Sequence, residues 1–533
     1  MKALKLQVPE IPDEKKTPEV VELLLFAEQA LAFIQQQAEI IQELRDEIAR
    51  LKGHKPKPKI RPSQLEKDKK KKKRKEAAKQ RRRNKKREKT RELEIHETVF
   101  CPPDAIPEGS VLKDYQPYTV QGIKIEPHNV RYFLERWKTP DGGYIVGKLP
   151  PEIQGHFSPT LKSFILYQYY HCHVTQPLLL EQLREWGFEI SAGHLSAILI
   201  QDKDRFHEEK DDILSVALKV SSFINVDDTG ARHDGKNGYC THMGNDLFAW
   251  FESTDSKSRI NFLRLLRAGH DDYRIDHDAL AYMQSHNLAK PLLRKIRGAR
   301  KKHFLDDEQW QRHLKDLGIV NQRHIRIATE GALIGAVLAH GLPKSLVIVS
   351  DDAGQFNVFL HALCWIHAER TINKLIAPDK HRQKILEKVR KQIWDFYDKL
   401  KAYKAAPSQK KKDRLDAAFD EIFTQNTDYQ LLNLALKRLY DNKQELLLVL
   451  QRPEIPLHNN LSENDIREYV KRRKISGSTR SAMGRRCRDT FTSLKKTSRK
   501  LGVSFWQFLL DRTSNQSLIP PLPQLIAQRA NGP

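Results

Sequence analysis

Cysteine is scarce: five residues in 533, at positions 101, 172, 240, 364 and 487. They are too few and too scattered for a disulfide framework, and an odd number points to reduced thiols in a cytosolic setting. No Cys-x-x-Cys occurs. Cys364-Trp-Ile-His367 and His171-Cys172-His173 each offer two metal ligands without a matching second pair nearby, so both read as buried structural segments. Long apolar runs are also missing. No segment approaches the roughly 20 apolar residues of a membrane helix. The start, Met1-Lys-Ala-Leu-Lys-Leu, soon meets Pro9, Glu10 and Asp13 and lacks the apolar centre of a signal peptide. The expectation is a cytoplasmic, nucleoid-associated chain with no membrane contact.

What is abundant is positive charge. The formal net charge is +25, and residues 67 to 89 carry 16 Lys/Arg against three acids. Such a segment is too charged to bury and suits a phosphate-rich partner. With hydrophobic residues at 39% and charged ones at 30%, part of the chain is expected to be extended.

Residues 1–54 read as an N-terminal helix, in which Leu24, Ala27, Leu31, Ile34, Ala38, Ile41 and Ile48 follow three- and four-residue steps, a short coiled coil that would dimerise. Residues 55–95 form a basic linker and 96–150 a small irregular segment with short strands. Residues 151–215 are helical: in the helix-turn-helix-like stretch from Pro177, Gly187 would stop one helix and Ser191 cap the next. From 216 to 515 strands and helices alternate as in an α/β core, with helical insertions at about 268–342 and 368–455, and 516–533 is a tail.

Two strands of that core end in acid doublets, Asp227-Asp228 and Asp351-Asp352. Strand side chains alternate faces, so only one member of each doublet can enter a common site, and the apolar run Leu346-Val-Ile-Val349 does not say which. Far downstream, Glu463 opens a basic helix. Asn460-Leu-Ser-Glu463 has the spacing of a capping box, with Asn460 as the cap. Joined with the aspartates, Glu463 could instead help hold two Mg²⁺ ions roughly 4 Å apart for phosphodiester chemistry. Behind it, residues 467–500 carry 13 Lys/Arg against two acids, and Arg467 and Lys471 follow at four-residue steps along its face.

In this order the residues resemble the DDE transposases of the insertion sequence sixty-six family. A strand of that family ends in Asp-Glu-Thr, here Asp227-Asp228-Thr229; its second acid precedes an aromatic at the spacing of Asp351 and Phe356, which favours Asp351 over Asp352. Its Cys-Trp-Ala-His-Ala-Arg-Arg segment is similar to Cys364-Trp365-Ile366-His367-Ala368-Glu369-Arg370, and its Asn-Asn-x-x-Glu-Arg to Asn459-Asn460-Leu461-Ser462-Glu463-Asn464. Its Arg-Lys and Gly-Ser elements match Arg473-Lys474 and Gly477-Ser478. The likeness runs over roughly residues 150 to 512. The family's cysteine-rich zinc segment has no counterpart beyond Cys101, so no zinc is expected, and Asn464, Ala353 and Gly354 mark a divergent branch.

The resemblance implies a ribonuclease H-like catalytic core. It also implies that Asp227, Asp351 and Glu463 bind two Mg²⁺ (Mn²⁺ could substitute) to cleave element ends and transfer strands into target DNA. Arg467, Lys471, Arg473, Lys474, Arg480 and Arg485 become the expected contacts to double-stranded DNA. Joining two ends suggests a homodimer, with helper proteins of the same element as further partners. The alternatives are an inactive DNA-binding or architectural protein and a ribonuclease H-like nuclease outside transposition.

Overall fold

The computed structural model describes residues 94–153 and 155–530. The expected coiled coil lies outside the described residues, as does the basic linker apart from Glu94 and Ile95. The chain falls into two units, Ile11–Lys124 and a larger one comprising Met1–Glu10 and Ile125–Pro533. In the first, the described residues 94–124 form neither helix nor strand.

Among the described residues, the larger unit first shows a hairpin, β1 (Arg136–Lys138) and β2 (Tyr144–Val146), then α-helices α1 (Pro159–Leu166), continued by a π-helical turn at Tyr167–His171, α2 (Gln176–Glu185), α3 (Ala192–Ile200) and α4 (Asp204–Val220). Between α2 and α3 Gly187 takes φ +83°, a left-handed conformation that ends a helix cheaply only for glycine. Ser191 then caps α3 by accepting the His194 N–H.

A five-stranded mixed sheet follows. β3 (Phe223–Gly230), β4 (Tyr239–Gly244) and β5 (Ala249–Thr254) form an antiparallel meander; β8 (Val347–Ser350) and β9 (Leu360–Leu363) add in parallel on the other side of β3, giving the order β5-β4-β3-β8-β9. Between β5 and β8 lie α5 (Arg259–Leu266), the small ribbon β6 (Tyr273–Arg274) with β7 (His303–Phe304), and helices α6 (His277–Ser285), α7 (Lys290–Gly298), α8 (Asp307–Asp316) and α9 (Gln322–Ala339). After β9 come α10 (Trp365–Asn373), α11 (Lys380–Ala405), α12 (Gln409–Phe423) and α13 (Gln430–Asp441), and then α14 (Asn460–Ser476), α15 (Ala482–Lys500), α16 (Phe505–Thr513) and α17 (Leu522–Ala530).

The apolar run of β8 is buried on both sides. Ile348 joins the large core built with Ile224, Val226 and α4 to α9, whereas Val347 and Val349 join a second core with α10 to α13. This is why alternation is invisible there: a central strand covered on both faces has no polar side to show. A third, small cluster packs Ile466 and Tyr469 of α14 on Cys240, Ala249 and Phe251 of the sheet. The sheet's edge at β5 is closed by α15. Asp489, Ser493 and Thr497, one helical turn apart, accept the N–H groups of Ser253, Phe251 and Ala249 at 2.8, 2.9 and 3.1 Å, so the exposed ladder that an edge strand presents is satisfied within the chain. No helix among the described residues is long and apolar enough to cross a membrane.

Candidate active site

β3 and β8 are parallel neighbours with Asn225 paired to Val349. Carried two residues further, that register sets Asp227 level with Asp351, the first residue after β8; β3 does not end at its acid doublet as expected but runs on to Gly230, still paired with β4, and residues two apart share a face. Asn225, which is fully buried, identifies that face. Its Nδ2 donates to Asn459 Oδ1 (2.9 Å), while Asn459 Nδ2 donates to the Val226 carbonyl (2.7 Å) and the Asn459 N–H to Cys364 Sγ (3.1 Å). The start of α14 is thereby fixed to β3 and to the loop entering α10. Glu463 lies four residues on from Asn459, one turn along the same helix face.

This corrects the capping-box expectation. Asn460 is the first residue of α14 rather than its cap; Asn459 occupies the cap position but makes no capping bond, because its amide is turned to β3. Glu463 is not drawn back to the cap either. Its carboxylate faces Arg370 Nη1 at 3.3 Å and His367 Nε2 at 3.8 Å, both from α10, with Arg467 Nη2 at 3.9 Å.

The two doublets separate by partners. Asp228 accepts from Thr241 Oγ1 (2.6 Å) and Gln355 Nε2 (3.0 Å) on the opposite face, and Asp352 pairs with Arg438 at the surface. Among the described residues, the bond that Asp227 accepts comes from the neighbouring Asp228 N–H, at 2.8 Å. Burial, followed by the charge of Asp351 and with smaller contributions from Asp228 and Glu463, pushes the Asp227 carboxyl up to about 7 against the Asp228 N–H, which opposes the shift. Asp351, directly after β8, and Glu463 of α14 therefore both act on Asp227 of β3. His367 shares their field: burial and then Arg370 lower its pKa, while Asp351 and Glu463 raise it.

Among the described residues no group of three or more His, Cys, Asp or Glu side chains is arranged as a ready-made ion site. The donors nonetheless suit a hard divalent cation, since all three are carboxylates and their mutual repulsion at Asp227 is what such a cation relieves. In this arrangement Glu463 is turned to Arg370.

The basic run after Glu463 divides in two. Arg467, Lys471, Lys474 and Arg480 are exposed. Arg473 is partly buried, with Nη1 donating to the Gly230 carbonyl at the end of β3 and to Thr229 Oγ1, and Arg485 pairs with Asp255 at 3.1 Å. Arg472, Arg488 and Lys495 are buried. Lys495 joins Glu468 and the His171 carbonyl, and Arg472 donates to the Tyr169 carbonyl at 2.8 Å.

In the sequence Asn225 stands out in no way, and Asn459, His367 and Arg370 appear only within family-like segments, with no role of their own. The Cys364-x-x-His367 pair read as structural, which holds for Cys364 alone, buried against the Asn459 N–H. The signal for the others was tertiary: a polar residue two places before an acid on a strand marks a face only once the register is known.

Residues 335–486, which span Asp351, the α10 segment and Glu463, match the family model described as "Transposase IS66 family". The chain is also similar to "Uncharacterized protein y4jO" of Sinorhizobium fredii (strain NBRC 101917 / NGR234). The two are 42% identical over 321 residues, which is 60% of this chain and 100% of that relative.

Proposed function

Because the chain belongs to the IS66 transposase family, we propose that it cleaves DNA at the ends of an insertion element and joins the freed ends to target DNA. Asp227, Asp351 and Glu463 are the metal-binding acids of this reading. The observation that carries it is the β3–β8 register that sets Asp227 level with Asp351, with the Asp227 carboxyl raised to about 7 first by burial, then by the Asp351 charge, and lying also within the field of Glu463. The strand order β5-β4-β3-β8-β9, with β3 and β8 parallel, Asp227 within β3 and Asp351 directly after β8, supports a ribonuclease H-like core.

Bound divalent ions, Mg²⁺ or Mn²⁺, would supply nucleophile activation and charge stabilisation for in-line displacement at phosphorus. The protein's task is then placement. In this reading the bonds of Asn459 to β3 and Cys364 fix the helix start that carries Glu463, and the bonds of Asp228 to Thr241 and Gln355 leave Asp227 as the ligand from its doublet. The outward cations Arg467, Lys471, Lys474 and Arg480 would carry the phosphate backbone past the acids, positioning DNA without reading its sequence. Arg473 and Arg485 sit beside them. Two ends joined in one reaction call for a homodimer, with helper proteins of the element as further partners.

The test is strand cleavage and transfer in Mg²⁺ on a duplex carrying the element's end. Asp227→Asn, Asp351→Asn and Glu463→Gln should each lower the rate by about a hundredfold or more, the scale of groups acting on the reacting centre, while Asp352→Asn stays near wild type. Intact strand transfer in any of the first three removes that residue from the site.

A further inference from the structure

The contact that holds Glu463 comes from a cation placed among acids. Arg370 sits on the second turn of α10, its side chain 38% exposed, with Nη1 3.3 Å from Glu463 Oε1 and 3.1 Å from His367 Nε2. Both bonds converge on the edge of the carboxylate cluster, since Asp351 and Glu463 each act on the His367 ring. A guanidinium here does two opposing things. It neutralises Glu463, which lowers the cluster's pull on a metal ion; it also supplies positive charge where three carboxylates would otherwise repel a DNA phosphate.

We infer that Arg370 is an exchangeable partner. In the metal-free protein it holds Glu463, and when a divalent cation binds Glu463 it turns to a non-bridging oxygen of the DNA phosphodiester. The inference rests on the three-acid reading above. The planar fork of arginine matches carboxylate and phosphate alike, which makes the exchange a change of partner with little movement. Lys374, which directly follows α10 and acts on the charge of His367, adds to the positive face.

Two binding measurements on the full chain test this. Mn²⁺ binding is followed by electron paramagnetic resonance without DNA, and duplex binding is measured in Ca²⁺. Arg370→Ala should bind Mn²⁺ several-fold more tightly than wild type and bind DNA about tenfold more weakly in Ca²⁺. Arg370→Gln, which keeps a neutral hydrogen bond to Glu463 and guards against a folding defect, should shift both in the same directions. A purely structural arginine moves neither in opposite senses: weaker Mn²⁺ binding in both variants, or unchanged DNA binding in Ca²⁺, overturns the exchange. Wild-type protein whose Mn²⁺ binding is absent, or the same after Glu463→Gln, overturns the three-acid reading itself and the inference with it.

Discussion

At the scale of single residues, Asp227 carries the clearest consequence. Its carboxyl stands at about 7 in the folded chain against an ordinary 3.8, because burial and the Asp351 charge disfavour the anion. The folded state therefore keeps a proton that the unfolded chain has already released. The stability this contributes is complete below about pH 4 and is lost as pH rises through about 7. At about 1.36 kcal/mol per unit, and allowing for water reaching a half-buried group, the loss is on the order of 2–4 kcal/mol. Asp227→Asn should remove it: in metal-free buffer the variant melts higher than wild type at pH 8, and the gap closes toward pH 4.5. A constant gap across that range would show that Asp227 is not the strained group. From sequence, periodicity showed the doublets but could not choose within them, because β8 is apolar on both faces; only the family resemblance favoured Asp227 and Asp351, and the physical distinction needs the β3–β8 register and the partners of Asp228 and Asp352.

At the scale of elements, the start of α14 shows how a local motif misleads. Asn460-Leu-Ser-Glu463 satisfies a capping pattern, yet tertiary bonds take the amide of Asn459 and the carboxylate of Glu463 elsewhere. Asn459→Ala would leave the Asn225 amide and the Val226 carbonyl without a buried partner, at roughly 1–3 kcal/mol for such groups, and would free Glu463 from its register with Asp227. We expect a lower melting temperature together with a loss of strand transfer larger than the stability change explains, read at a temperature where both proteins are folded. The insertion before β8 offers a contrasting case. Gly331 and Gly335 of α9 face α6 and the residues before it so closely that a Cβ would stand 2.8 Å from the Ala279 carbonyl oxygen and 2.6 Å from that of Arg274. Alanine gains about 1 kcal/mol of helix propensity, but overpacking against backbone costs about 1–3 kcal/mol, so Gly335→Ala should destabilise the chain in urea unfolding. Two glycines four apart were in plain view in the sequence; what they touch was not.

Across the whole molecule, charge can be counted from the sequence but not sorted. The 13 Lys/Arg of residues 467–500 read as one basic stripe, whereas the fold turns Arg472, Arg488 and Lys495 inward as structural cations and leaves Lys471, Lys474 and Arg480 outward. The two classes should answer differently to salt. Each outward cation that meets a phosphate releases condensed counterions, so Lys474→Ala and Arg480→Ala should each lower the slope of log affinity against log salt by about 1 and leave the melting temperature unchanged. Arg472→Ala should lower the melting temperature first, since it strips the Tyr169 carbonyl of a buried partner and removes the guanidinium stacked 3.8 Å over the Tyr169 ring. Removing residues 67–89, with their 16 cations and three acids, should cut the slope several times more than any single substitution. If that deletion leaves the slope as it was, the basic segment does not touch DNA, and the outward face of α14 and the loop after it carry the electrostatic binding alone.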